Sequence, residues 1–402
     1  MKCPCCLKKV KKSLIKIVAS PLGDKYTYKI NNLKKYTFDI IECEICNYIG
    51  LENKIDPQES YEDYIYVSSS TKGLATEYRE YVKFLNENEL INDDTIALEI
   101  GSNDGLFLKE LSKNVKYIIG IEPSAKAIIN YSKKKLNVIN DYFNQNIIDK
   151  LFENKKPTKY DLIVANYVFA NLPDLEETIK AIVKLLNNKG KLIIQTGYTP
   201  NQFSNGMFDY IYHEHIHYFS TNSIKKLFEK YDLFIEEFVI TSSKLHSIRY
   251  VIGRKDVGNL KIEKLINHEK FIYLELIKNL NKKIVNNLKE TINTLKMFKK
   301  EKYKIFGYGA SHSVTTLLHQ ENLGEYIDFL IDDNPLKEGL YSPGYNLEVK
   351  KLSNINFNEN IVILILGWQH ENKILNNLKK FNNNKRNILI VTVFPLHRLQ
   401  LL

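Results

Sequence analysis

Two identical cysteine steps, Cys3-x-x-Cys6 and Cys43-x-x-Cys46, stand at the head of the chain and constrain its folding more than any other feature. Two such knuckles can supply the four thiolates of a closed tetrahedral zinc site. A site of that kind folds a segment too small to hold together by burial alone. Cys5 leaves a choice of which sulfur acts with Cys6; the two-residue spacer favours Cys3, because both sulfurs and the amides that follow can converge on one ion. All five cysteines fall within the first 46 residues, which ordinary free thiols would not require. The spacing therefore predicts a structural Zn²⁺ held by Cys3, Cys6, Cys43 and Cys46.

A length of 402 residues with 44% hydrophobic content predicts a globular protein of two to four domains. No apolar run approaches the roughly 18 to 20 residues that span a bilayer, and the N-terminus lacks a hydrophobic signal region. With reduced cysteines, this predicts a cytoplasmic protein and no membrane partner. The formal charge is +10, yet only five of the 57 basic residues are arginine, the side chain that clamps phosphates and reads bases. The first 56 residues carry 11 lysines against six acids, and four thiolates on one Zn²⁺ would reduce that excess to about +3. Lysine is abundant throughout, so the charge reads as composition and argues against a dedicated nucleic-acid partner.

Beyond the second knuckle the pattern divides into regions 1–58, 59–255 and 256–402. A helix is predicted from Thr71 to Asn86, followed by alternating elements: strand Thr95 to Ile100, helix from Gly105, strand Tyr117 to Ile121, helix Ser124 to Lys135. Strand Asp161 to Ala165, helix Leu175 to Leu186 with Gly190 as its cap, and strand Lys191 to Thr196 come next. This alternation predicts an α/β fold with a mostly parallel sheet covered on both faces. A polar, aromatic and histidine-rich stretch from Gly197 to Phe219 is long for a connection and hence a candidate for function. Ser220 or Thr221 can cap a helix from Ser223 to Lys230. Glu263 to Lys300 reads as a connector helix or helix pair, and strands at Lys304, Ile327 to Ile331, Ile361 to Leu366 and Ile388 to Val393 predict a second doubly wound unit.

The segment Glu99-Ile-Gly101-Ser-Asn103-Asp104-Gly105 ends a strand and opens a helix, where glycines let a ligand approach the backbone. Its Glu-x-Gly-x-x-x-Gly spacing departs from the Gly-x-Gly-x-x-Gly that seats a pyrophosphate on a helix N-terminus. Glu122, at the end of the next strand, is placed to hydrogen-bond two ribose hydroxyls. Loop and acid together resemble the class I methyltransferases, with a phosphate-binding or purely structural glycine turn as the alternative. The resemblance implies S-adenosylmethionine as cofactor, in a site that includes Glu99 and Glu122. Gly101, Asn103, Asp104 and Gly105 would line its methionine part, with Asn166 close by.

Tyr210 to Phe219 holds three of the nine histidines in five positions. As a strand it would place His213, His215 and His217 on one face, which raises a second metal site; proton handling fits the flanking tyrosines and Glu214 equally well. A histidine is suited to removing a proton at neutral pH when a phenol or carboxylate orients it. Tyr212-x-Glu214-His215 followed by Tyr218-Phe219-Ser220 resembles the bacterial sugar C-methyltransferases that act on nucleotide-linked 4-keto-6-deoxyhexoses. Gly307-Tyr-Gly-Ala-Ser311, Ile331-Asp-Asp-Asn334-Pro-Leu-Lys337-Glu-Gly339, Pro343-Gly344 and Leu366-Gly-Trp368 match that family's closing domain in order and spacing. The likeness covers essentially the whole chain.

That resemblance implies a zinc-binding domain, a class I methyltransferase Rossmann-like domain, and a second Rossmann-like C-terminal domain that closes over the acceptor's nucleotide. It implies His215 as the base, with Tyr212, Glu214, Tyr66 and Asn171 in the same site. The base would remove a proton beside a ketone while donors stabilise the enolate, and the carbanion would take the methyl group. Two departures stand out. Asn171 occupies a position where the family usually has histidine; it can donate a hydrogen bond but cannot shuttle a proton. The family's His-Gly-Gly-Ser-type loop is here Lys244-Leu-His246-Ser247-Ile-Arg249, without its glycines. Methyl transfer to oxygen or nitrogen of another small molecule, and a zinc ribbon that binds nucleic acid or modifies RNA, are the competing readings.

Overall fold

The computed structural model describes residues 1–56, 59–60, 67–70, 73–129, 136–241, 247–357, 359–382 and 388–402. The cysteine-bearing segment forms strands β1 (Lys11–Lys12), β2 (Ile40–Cys43) and β3 (Tyr48–Leu51), paired antiparallel. The turn from β2 to β3 is the second knuckle: Asn47 takes a left-handed φ of 58°, and its N–H returns to the Cys43 carbonyl at 2.8 Å. The sulfurs of Cys3 and Cys46 lie 3.6 Å apart, those of Cys6 and Cys43 3.4 Å, and all four ligand atoms fall within 4.8 Å of one another. A tetrahedron with metal–sulfur bonds of about 2.3 Å has edges of about 3.8 Å, so the donor set and its spacing fit a zinc ion. Cys5 is buried but stands outside this group.

The central sheet is built from β4 (Ile96–Ile100), β5 (Tyr117–Ile121), β6 (Val138–Ile139), β7 (Tyr160–Asn166) and β8 (Leu186–Gly197), all parallel. After a short β9 (His217–Tyr218), the hairpin β10 (Phe234–Thr241) and β11 (Ser247–Gly253) completes it antiparallel, in the order β10-β11-β8-β7-β4-β5-β6. This is the class I methyltransferase arrangement. The strand order reverses direction between β4 and β7, which opens a crevice at their carboxyl ends.

Helices cover both faces for readable reasons. Helix Leu74–Glu87 buries Leu74, Tyr78, Tyr81, Val82 and Leu85, one stripe at helical spacing. Asp174 caps helix Leu175–Leu185 by accepting the Glu177 N–H at 3.0 Å, and Ser220 and Ser223 form a reciprocal cap on helix Thr221–Glu229. The expectation for Gly190 fails: β8 begins at Leu186, directly after the helix, and Gly190 lies inside it. There the ladder skips from Tyr160↔Leu186 to Leu162↔Lys191. A Cβ on Gly190 would meet the Tyr160 carbonyl at 2.9 Å, so the glycine serves the irregular pairing. The helix predicted after Ser124 is described over Ala125–Ile128.

The connector is one helix of 41 residues, Leu260–Lys300, capped by Asn259. Neither glycine nor proline interrupts the run, so nothing breaks it into a pair. Its buried Glu269 accepts from Tyr198 O–H (2.9 Å), Thr221 N–H (2.8 Å) and Thr221 Oγ1–H (2.5 Å), which fastens the helix to the methyltransferase sheet. The third sheet holds β12 (Lys304–Tyr308), β13 (Phe329–Ile331), β14 (Val349–Lys350), β15 (Ile361–Ile365), β16 (Leu389–Thr392) and an antiparallel β17 (Arg398–Leu401). Its order, β14-β13-β12-β15-β16-β17, again reverses beside its first strand. No helix among the described residues is long and apolar enough to cross a membrane.

Candidate active site

The loop after β4 turns through three left-handed residues, Gly101 (φ 69°), Asn103 (φ 47°) and Gly105 (φ 76°). Gly101 cannot carry a side chain, because a Cβ there would stand 2.7 Å from Val168. Glu99, buried at the end of β4, accepts from Asn166 Nδ2 at 3.4 Å; its Oε2 and Asn166 Oδ1 have no protein partner among the described residues. Burial pushes the Glu99 carboxyl well above the usual range, and the nearby Glu122 and Asp104 add to it. Glu122 accepts the N–H groups of Asn103 (2.7 Å) and Ser124 (2.8 Å), which fixes its carboxylate at the crevice rim. Burial raises it too, against those two donors. Glu99, Gly101, Asn103, Glu122 and Asn166 line the crevice, whereas Asp104 and Gly105 do not.

The crevice is one end of a cavity of about 1160 Å³ that continues to the carboxyl edge of the C-terminal sheet. Tyr212, Glu214, His215 and Asn171 line its middle. His215 stacks on Tyr212 with ring centroids 4.1 Å apart, and Tyr212 O–H lies 2.8 Å from His215 Nε2. His215 Nδ1 faces the Tyr210 carbonyl at 3.3 Å, so Nδ1 carries the hydrogen and Nε2 presents its lone pair. Burial raises the Glu214 carboxyl, partly offset by the neighbouring His312, and Glu214 Oε2 has no protein partner among the described residues.

The three histidines do not share a face. His213 stacks on Phe38 at 4.0 Å and reaches the Tyr36 carbonyl at 3.2 Å; burial lowers its pKa to about 4. His217 is held between Tyr48 O–H (2.6 Å) and the Leu172 carbonyl (2.9 Å). The stretch is a turn around Tyr212 to His215 and becomes a strand only at β9, which pairs with β3. His213 and His217 are therefore each engaged by partners outside the turn, and the one-face arrangement that would make a second metal site does not form. Among the described residues the four cysteines are the one group that converges on a metal-sized point.

Tyr66 lies outside the described residues, as do Lys244 to His246. Arg249 is buried in β11, with its guanidinium 3.3 Å from the Tyr81 ring centroid and two hydrogen bonds to Gln195 Oε1. Gln195 in turn donates to Glu77 (2.6 Å), which lines the crevice after β4.

At the far end, the C-terminal sheet repeats the crevice architecture. Asp332 follows its second strand and accepts from Ala310 N–H (2.7 Å) in the first loop and Asn334 N–H (2.8 Å), as Glu122 does from Asn103 and Ser124. Lys337 Nζ bonds the Ala310 carbonyl at 2.6 Å and Asp24 at 3.1 Å, and His312 Nε2 lies 3.8 Å from Asp24. Asp24 brings the cysteine domain into the cavity wall. Sequence reasoning missed it, since no local motif marks an acid whose partner is 313 positions away.

A methyltransferase domain family matches residues 72–237, and the C-methyltransferase C-terminal domain family matches residues 246–394. The two lie in the order of the central and C-terminal sheets. The chain thus joins a methyltransferase domain to a C-methyltransferase C-terminal domain. Across 365 residues it is 23% identical to the C-methyltransferase NovU of Streptomyces niveus, covering 87% of this chain and 84% of that one. Among solved structures, magnesium protoporphyrin IX methyltransferase of Synechocystis PCC 6803 shares 15% identity over 45% of this chain and 79% of its own, with a TM-score of 0.33. The N-methyltransferase NodS of Bradyrhizobium japonicum WM9 shares 18% over 44% and 94%, also with a TM-score of 0.33. The protein is thus an S-adenosylmethionine-dependent C-methyltransferase, and the crevice after β4, the Tyr212–His215 pair and the crevice of the C-terminal sheet open into one cavity.

Proposed function

We propose that this C-methyltransferase methylates the carbon beside the ketone of a nucleotide-linked 4-keto-deoxysugar, a step of branched-sugar biosynthesis. The observation that carries the reading is the Tyr212–His215 pair, set between the cofactor crevice and the C-terminal crevice in a single cavity. In this reading Glu122 holds ribose hydroxyls, while the orphaned oxygens of Glu99 and Asn166 and the bare Gly101 receive the methionine part. Bound there, S-adenosylmethionine supplies a methyl group already activated by its sulfonium charge.

The chain's own groups then have the proton to move. The His215 Nε2 lone pair accepts it, directly or through the Tyr212 phenol that it already faces. Glu214, whose carboxyl burial raises and whose Oε2 has no protein partner among the described residues, faces the developing enolate and can donate to its oxygen in the protonated form, and Asn171, whose Oδ1 lacks a protein partner among the described residues, orients the acceptor. The acceptor's nucleotide rests on the C-terminal crevice, where Asp332 repeats the setting of Glu122. The four sulfurs hold a structural zinc, and the reduced thiols it needs fit a cytoplasmic enzyme.

The test compares methyl transfer to a nucleotide-linked 4-ketosugar with transfer to the same sugar after reduction of the ketone. Activity confined to the ketone supports the reading. Equal activity on the alcohol would move the reaction to oxygen.

A further inference from the structure

His217 and Tyr48 belong to no step of the proposed chemistry, yet they are joined in a way that packing alone does not require. Tyr48 opens β3 two residues after the metal-knuckle cysteine Cys46. Its ring crosses the strand above Gly50, where an added Cβ would meet the Tyr48 hydroxyl at 2.1 Å. Glycine at position 50 is thus what lets the phenol reach His217. The Leu172 carbonyl can only accept, so His217 Nε2 carries the hydrogen and Nδ1 accepts from Tyr48. One neutral ring thereby links three segments: the cysteine knuckle, the strand two residues after His215, and the turn one residue after Asn171.

The surrounding backbone runs the same way. Ile216 N–H donates to the Ala170 carbonyl and Leu51 N–H to the Ile216 carbonyl, both at 2.9 Å. Ser220 Oγ–H donates to the Cys46 carbonyl at 2.7 Å. We infer that the cysteine domain positions the acceptor site, with His217 as the positioning residue that sets His215 and Asn171 relative to each other through the Tyr48–His217–Leu172 chain. The inference rests on the proposed roles of His215 and Asn171.

Hydrogen exchange of the full-length protein, followed by mass spectrometry, tests the positioning without any acceptor. His217→Phe is expected to raise exchange roughly tenfold in peptides covering 168–174 and 210–218, with S-adenosylmethionine affinity and bound metal unchanged. Tyr48→Phe, which removes one hydroxyl, should raise exchange in the same two peptides to a smaller extent, and it carries the test if His217→Phe does not fold. His217→Gln can accept at Oε1 and donate at Nε2, so it should restore protection. On a ketosugar that the wild type methylates, His217→Phe should lower kcat about tenfold or more with KM little changed. Unchanged exchange in both peptides, or His217→Gln as damaging as His217→Phe, would overturn the inference. Failure of every ketosugar would count against the proposed substrate, while the exchange data would still decide the positioning role.

Discussion

His215 is held by two hydrogen bonds that fix where its proton can go. With Nδ1–H directed at the Tyr210 carbonyl, Nε2 is the basic atom, and the stacked Tyr212 hydroxyl lies against it. Replacement of His215 by Asn should leave S-adenosylmethionine binding intact and lower turnover by roughly 10² to 10⁴. Equilibrium binding and single-turnover rates check the two halves separately. Tyr212→Phe distinguishes relay from direct removal: loss close to that of His215→Asn means the proton passes through the phenol, and a small loss means the imidazole takes it directly. His215, Tyr212 and Glu214 were legible in the sequence because they lie within four positions. Their neighbours Asp24, His312 and Lys337 were not, since each is an ordinary residue in its own segment and only tertiary folding brings them together.

At the scale of elements, the histidine stretch behaves as a fourth strand of the cysteine sheet through the pairing of β9 with β3. A strand of two residues leaves no alternation to read, so the sequence pattern placed the stretch in a loop. The long connector was ambiguous for a related reason: apolar spacing marks a helix but not whether it bends, and here nothing interrupts it. Replacing Cys43 and Cys46 together by Ser should abolish metal binding, release the knuckle from Ser220, and lower the melting temperature. Metal analysis beside thermal unfolding checks this, and an unchanged midpoint with no metal bound would contradict it. Glu269→Leu leaves three buried donors without their acceptor and should cost roughly 2 to 4 kcal/mol, read by denaturant unfolding.

Across the whole molecule, two crevices of like topology face each other around a shared cavity. Alternating strands and helices made both α/β units legible, but their apposition depends on contacts that no single segment encodes. One is Asp209, fully buried in the histidine stretch, which accepts from Trp368 Nε1 of the C-terminal domain at 3.1 Å. Burial raises this carboxyl from its ordinary value to about 7, against the Trp368 hydrogen bond. Its folded form therefore holds a proton that the unfolded chain releases near pH 4. The stabilisation is complete below that pH and is lost as pH rises through about 7. The stability of the wild type relative to Asp209→Asn should rise from pH 8 to pH 5; a constant difference in thermal unfolding would contradict the assignment.

The proposed reaction removes a proton from carbon and then methylates that carbon. Its most direct measurement is incubation with S-adenosylmethionine and nucleotide-linked 4-ketosugars in deuterated water, with product analysis by mass spectrometry and NMR. The expected result is a new carbon-bound methyl group on the carbon beside the ketone, and deuterium entering that position when S-adenosylmethionine is withheld. A methyl group on oxygen or nitrogen, or methylation with no exchange and no dependence on His215, would contradict it.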